Sequence, residues 1–366
     1  MSLSHPLVGC SPGTLLRLAR ENGVDVKYWP RYCAVLLASL SFSPLRWAER
    51  LIYGRRLEKT SFGPAPVFII GHWRSGTTHL HNLMALDPQF AHLTTFQATL
   101  PECSLISKRG VLRRVVSALL PATRPMDNMV MSVDGPYEEE FAAGNLSTMA
   151  VTHGMWFPRK LAAFFDHTVF FDNENAAVTL DWQRSYGSVL RRVAYGAEGK
   201  RLLLKNPPNT ARIPALLAMF PDAKFVHIYR NPYEVFASTV RLYTKLMEGR
   251  AFHSVSVAEI EAHVLRYYQR VMTKFFETRQ LIPRQNLVEL RYEELEQDPL
   301  LALKGVYEGL GLSGFDTSKP LFSDYVASLV SYEKNRFEYS APLIERVAQA
   351  WGDTIARWGY APPASS

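Results

Sequence analysis

The stretch that most restricts the fold runs from Val67 to Thr78. An uninterrupted apolar run, Val67-Phe68-Ile69-Ile70, leads straight into "GHWRSGTT", and "HLHNLMALD" follows. Apolar residues in unbroken succession, without alternation, suit a strand covered on both faces, as in a parallel sheet. Leu80, Leu83, Met84 and Ala85 carry a helical period that starts at Thr77 and stops at Asp87-Pro88. A strand, a loop with glycine at either end and a helix N-terminus together present backbone N–H groups to an anion.

The same unit recurs downstream. "RLLLK" (201–205), "KFVHIYR" (224–230) and "NLVELRY" (286–292) read as strands. Helices follow them in "ARIPALLAMF", from Asn231-Pro232 onward, and after Asp298-Pro299. Strands alternating with helices, without hairpin signals, predict an α/β fold: a P-loop-like parallel sheet flanked by helices and joined by right-handed crossovers. Residues 90–200 lack a strand of comparable clarity and read as a mainly helical insertion on the acceptor side. Residues 1–60 form an N-terminal helical segment, with one helix carrying Leu45, Ala48 and Ile52 and ending near Gly54. Residues 61–360 form the main domain.

Gly71 to Thr78 has the outline G-x-x-x-x-G-K-[ST], with Thr77 where the lysine belongs and Arg74 inside the loop. A triphosphate site also needs Mg²⁺, held partly by an acidic strand end. Here the neighbouring strands end in Lys205 and Arg230, the wrong sign for a metal and the right sign for a metal-free anion. Arg230 and Ser238, eight residues apart, can clamp a second phosphate, or Arg230 can pair with Glu234 along the helix. The competing class is a P-loop kinase or NTPase. His72, His79 and His81 do not suggest a metal, since His79 and His81 point apart on a helix.

A net charge of +7 fits an anionic partner. The basic residues are divided between motif loops and the N-terminal helix, which argues against nucleic acid. Cys10, Cys33 and Cys103 are widely spaced and predict a reducing, cytoplasmic setting. The N-terminus has no signal-peptide pattern, and "CAVLLASLSF" is about half of the ~20 residues that a spanning helix needs. Trp29 and Trp47 interleave with Arg31, Arg46, Arg50, Arg55 and Arg56. That segment either packs as a helical pair on the main domain or makes a peripheral contact with an acidic membrane.

The loop, "RNPYEVFAS" and "LRYEELEQDP" together resemble the sulfotransferases that use 3′-phosphoadenosine 5′-phosphosulfate (PAPS). The likeness covers roughly residues 64–340. It is to the bacterial branch with R-S-G-T-T loops, related to the tyrosylprotein enzymes. It implies that Arg74, Ser75, Gly76, Thr77 and Thr78 hold the 5′-phosphosulfate, and that Arg230 and Ser238 take the 3′-phosphate. It puts Tyr292 near adenine, and Lys334, Asn335 and Arg336 of "YEKNRFEYS" in a loop that closes over the donor. Transfer is then in-line and metal-free, to a hydroxyl of a small-molecule, lipid or glycan acceptor, with Arg74 and Lys205 stabilising developing charge.

Two residues after the strand-end lysine, the cytosolic enzymes of this family place a histidine base; here that position is Pro207. The base must lie elsewhere, or the chain is a non-catalytic relative. Glu102 lies where other branches carry a catalytic glutamate. Glu138, Glu139 and Glu140 form a second group, with Glu138 or Glu140 preferred; in a helix these two do not share a face. Three adjacent carboxylates can also raise one pKa toward neutrality. His153 and His167 are further options, and Gln97 is positioned by sequence to orient the acceptor. The aromatic content and apolar insertion suggest a lipid-like or aromatic acceptor.

Overall fold

The computed structural model describes residues 5–123, 129–172, 176–329 and 337–364. Five parallel strands form the sheet: β1 (Val67–Ile70), β2 (Phe90–Ala91), β3 (Arg201–Lys205), β4 (Lys224–Tyr229) and β5 (Leu287–Arg291). Their order is β2-β3-β1-β4-β5. Val67 stands opposite Leu203 of β3 on one side and Lys224 of β4 on the other. All of β1 is buried, as its apolar run requires. The chain leaves adjacent strands β1 and β4 in opposite directions, so a crevice opens at their carboxyl ends.

The helices that frame the site are α1 (Pro12–Asn22), α2 (Trp29–Ser41), α3 (Ser43–Glu58), α4 (Thr77–Met84), α5 (Val111–Leu119), α6 (Glu139–Leu146), α7 (Ala176–Tyr195) and α8 (Pro232–Met247). Residues 90–200 are mainly helical, with β2 as the exception the sequence did not signal; two residues are too short to carry a pattern. A short helix, Tyr292–Gln297, also follows β5 before the one that starts at Pro299.

The expected stop at Gly54 is corrected: α3 continues to Glu58. A Cβ on Gly54 would meet nothing nearer than Arg50 Cγ at 3.8 Å, so no special backbone is needed there. Leu57, buried one turn later, draws the helix onward.

The N-terminal residues are built into the body. Leu7, Val8, Leu15, Leu18, Tyr32 and Val35 share a core cluster with Trp156 and Phe252. The buried Arg46 ties them down by donating to the carbonyls of Ser39 (2.7 Å), Cys10 (2.6 Å) and Val8 (3.1 Å). These bonds to its terminal nitrogens offset part of the cost of holding a charge away from water. Among the described residues no helix is long and apolar enough to cross a membrane.

Candidate active site

The loop between β1 and α4 is held by close approaches that only glycine permits. A Cβ on Gly71 would lie 2.3 Å from the Ile228 carbonyl oxygen, and one on Gly76 would lie 2.2 Å from the Tyr292 ring. Both have positive φ, at 144° and 99°. Arg74 adopts φ 71° without being glycine, a cost of the kind stored at binding loops. The Gly71 N–H donates to Thr210 Oγ1 at 2.7 Å, and Ser75 Oγ donates to the His72 carbonyl at 2.7 Å. No side chain caps α4 at Gly76, and the positive end of the helix dipole lies at this end of the loop, where an anion is favoured.

Arg74 and Ser238, placed by resemblance at opposite ends of the donor, meet directly: Arg74 Nε donates to Ser238 Oγ at 2.7 Å. Ser238 is buried on the second turn of α8. Arg230 stacks its guanidinium over Tyr292, 4.4 Å from the ring centroid, and pairs with Glu234. Arg74, Gly76, Thr77, Thr78, Arg230 and Tyr292 line one cavity of about 400 Å³. Pro207 borders it as well. Lys334, Asn335 and Arg336 lie outside the described residues.

A second cavity of about 400 Å³ lies alongside, walled by apolar groups that include Phe42, Leu100, Leu112, Val116, Phe141 and Leu246. His5, Pro6 and Val8 complete part of its wall. Trp73, Glu138 and Leu242 border both cavities. At this junction the buried Lys205 Nζ donates to Glu138 Oε1 at 2.5 Å and to Thr78 Oγ1 at 3.3 Å. Glu138 is the residue before α6 begins, so its side chain departs from the helix while Glu139 and Glu140 enter the first turn.

The three consecutive glutamates therefore have three environments. Glu139 is fully buried, accepting from the Lys205 N–H at 3.1 Å and from the Tyr186 hydroxyl at 3.0 Å. Burial pushes its carboxyl up to about 8, against the partial opposition of those hydrogen bonds. Burial also works to raise Glu140, but Arg212 prevails and holds it below the usual carboxylate range. Arg212 grips it through two nitrogens at 2.8 and 3.0 Å, and Asn206 and the Val151 N–H each bond it at 2.7 Å. Glu140 borders the apolar cavity, yet both of its oxygens are already engaged.

Other expected residues stand apart from this junction. Glu102 is not brought to either cavity; its carboxylate faces Arg46 Nε at 3.9 Å. The Gln97 side chain caps its own helix by accepting from the Thr94 N–H at 2.9 Å. His153 is buried against the Ser147 carbonyl at 2.9 Å, and burial lowers its pKa to about 4. Sequence reasoning missed Trp73 and Leu242 at the junction. It also missed the Tyr186–Asn209–Arg212 network beneath it, whose members are brought together from separate elements.

Residues 66–317 match the model of the sulfotransferase family. The chain belongs to that family. It is 32% identical over 357 residues to the omega-hydroxy-beta-dihydromenaquinone-9 sulfotransferase Stf3 of Mycobacterium bovis, covering 96% of this chain and 90% of the relative. The same figures hold for Stf3 of Mycobacterium tuberculosis. Among solved structures it resembles sulfotransferase STF9 from Mycobacterium avium, with a TM-score of 0.68 and 18% identity over 96% of this chain and 97% of that one. It also resembles STF1 from Mycobacterium tuberculosis, with a TM-score of 0.64 and 20% identity over 93% and 90%. These two likenesses establish a shared fold. As a sulfotransferase the chain is an enzyme that moves a sulfuryl group to an acceptor, and PAPS is the usual donor for such transfer.

Proposed function

We propose that this sulfotransferase passes the sulfuryl group of PAPS to the hydroxyl of a lipid-like acceptor, with Glu138 as the base. The observation that carries the reading is that Glu138 borders both cavities and pairs with Lys205 where they meet. Residues 61–360 then carry the transfer site, residues 90–200 supply most of the acceptor wall, and residues 1–60 close it from the other side.

The first cavity suits a phosphorylated nucleoside. Its loop leads into a helix N-terminus, Arg74 and Arg230 supply cationic forks, and Tyr292 provides an aromatic face beside Gly76. Arg74 and the residues Ser75 to Thr78 would hold the phosphosulfate end. Arg230 and Ser238 are assigned to the 3′-phosphate, Tyr292 to the base, and Lys334, Asn335 and Arg336 to the loop over the donor. PAPS, when bound, supplies an activated sulfuryl group whose S–O bond to phosphate breaks as the acceptor oxygen bonds to sulfur. Glu138 takes the hydroxyl proton of the acceptor. Lys205 and Arg74 hold positive charge where the leaving oxygen and sulfuryl oxygens gain negative charge. Lys205, held between Glu138 and Thr78, is within reach of both partners.

An apolar acceptor is favoured by the Phe, Leu and Val lining of the second cavity, where a sugar would leave hydroxyls without partners. The relative Stf3 is named for a menaquinone-derived acceptor, which agrees with a long apolar body bearing one hydroxyl. We also infer a peripheral membrane contact through the N-terminal segment.

Thermal unfolding with PAP, the desulfated donor, tests the donor site. The expected result is a metal-independent rise that Arg230→Ala abolishes; ligand at ~100-fold its Kd stabilises by about 2.7 kcal/mol. A rise confined to ATP with Mg²⁺ would overturn the reading. For the base, Glu138→Gln is expected to keep the PAP response and lose roughly 10²–10⁴-fold in kcat. Wild-type turnover in that variant would remove Glu138 from the chemistry.

A further inference from the structure

The acceptor cavity does not end at a polar rim. Leu112, Val116 and Leu120 of the α5 segment pack with Phe42 and Leu45, from the α2–α3 corner, on a small cluster around Phe96 and Leu100. The corner and α5 are therefore neighbours at the cavity mouth, and Phe42, Leu112, Val115, Val116, Leu119 and Leu120 all line it. No residue of α5 is fully buried. Val111, Val115 and Leu119, spaced one turn apart, are 74%, 44% and 53% exposed. Val115 and Leu119 thus belong to the cavity wall and to the outer surface at once, and apolar surface runs unbroken from outside to inside.

The neighbouring helix exposes apolar groups of its own. On α3 the inward positions are Arg46, Glu49 and Leu57, while Trp47 and Leu51, one turn apart, are 67% and 64% exposed. Arg50, Arg55 and Arg56 flank them, and Lys108, Arg109 and Arg114 flank the α5 stripe; all six are exposed. On α3 and residues 108–120, the one exposed carboxylate against these six cations is Glu58. Tryptophan and aliphatic side chains bordered by arginine form the composition that lies in a lipid headgroup boundary. Each exposed cation near an anionic surface adds to the attraction.

We propose that α3 and α5 together seat on an anionic bilayer, with the acceptor cavity opening into the lipid. A membrane-dissolved alcohol enters sideways between α5 and the α2–α3 corner, its hydroxyl leading toward Glu138. This rests on the lipid-acceptor reading and adds the docking face and the route. An apolar acceptor with a long tail never has to cross water on this path, which removes the desolvation step that would otherwise limit its capture.

The test uses the full chain with vesicles of phosphatidylcholine, alone or mixed with phosphatidylglycerol. Co-sedimentation is measured first. Transfer to a long-chain alcohol embedded in the vesicles is then compared with transfer to a short water-soluble alcohol. Two variants avoid the cavity lining: Trp47→Ser/Leu51→Ser/Val111→Ser, and Arg50→Glu/Arg109→Glu/Arg114→Glu. Wild-type protein is expected to pellet with the anionic vesicles and weakly with the neutral ones. Both variants are expected to lose vesicle binding, and transfer to the embedded alcohol, by at least about tenfold. Their unfolding temperature, PAP response and turnover of the soluble alcohol should be unchanged.

Failure of the wild type to bind anionic vesicles, or full binding by both variants, would overturn the docking face. A concentration-dependent dimer that the apolar variant dissolves would reassign the face to a second copy of the chain. In either case an intact PAP response leaves the sulfotransferase reading standing, whereas a wild type without that response would sink the donor site independently of vesicle binding.

Discussion

Arg74 and Ser238, 164 positions apart, are joined by a 2.7 Å hydrogen bond from guanidinium to hydroxyl. The bond fixes the loop arginine, in its left-handed backbone conformation, against the helix that carries the second phosphate-binding candidate. A hydrogen bond to a charged group contributes about 1.5–3 kcal/mol. Ser238→Ala is therefore expected to weaken PAP by roughly tenfold or more, measured by calorimetric titration, with a small change in unfolding temperature. Unchanged affinity would mean that Arg74 is positioned by the loop alone.

Gly76→Ala puts a methyl group 2.2 Å from the Tyr292 ring, at a φ of 99°. The ring must move, and with it the surface on which Arg230 stacks. The expected outcome is a loss of about 1–3 kcal/mol in stability together with loss of the PAP response. Chemical denaturation and the thermal shift measure the two separately.

Glu139 makes stability depend on pH in a direction unusual for a carboxylate. Its folded pKa is raised from 4.5 to about 8, so between those values the folded state binds more protons than the unfolded state. The contribution is fully present below the unfolded pKa and is lost as pH rises through the folded one. Glu139→Gln is expected to remove this decline: the difference between variant and wild type in urea midpoint should grow in the variant's favour from pH about 4.5 to about 8. A constant difference across that range would mean the carboxyl ionises normally.

Glu140→Ala leaves Arg212, wholly buried, without its carboxylate. Breaking one side of a buried pair costs about 3–5 kcal/mol. Unfolding should shift by that amount, and kcat should fall along with it, because Asn206, next to Lys205, loses its 2.7 Å bond to Glu140 and keeps only the 3.4 Å one to Asn209. Restoration of stability by Glu140→Gln with low activity would assign Glu140 to positioning.

Much of the sheet was legible because buried parallel strands leave a strong imprint: β1, β3 and β4 are short apolar runs ended by glycine or a cation, and the edge strand β5, with Leu290 buried, ends in Arg291. β2 left no imprint, being two residues held by pairing with Arg201 and Leu202. The glycine loop and the Arg230–Ser238 spacing were likewise readable, since close backbone approach and helical rise are local matters. The roles of Glu138, Glu139 and Glu140 were not. Their partners Lys205 and Arg212 lie 66 to 72 positions away, and adjacency in the chain carries no information about which side chain meets which distant cation. The Arg74–Ser238 contact was hidden for the same reason.

Glu138 is a party wall between two rooms. Whatever occupies one side alters the charge, and the freedom of the Lys205 ammonium, met by the occupant of the other. The two ligands are thereby linked, and linkage is reciprocal: if donor changes the affinity for acceptor, acceptor changes that for donor by the same factor. Affinities taken one ligand at a time will differ from those that govern turnover, and inhibitors aimed at either chamber should be ranked with the other one filled.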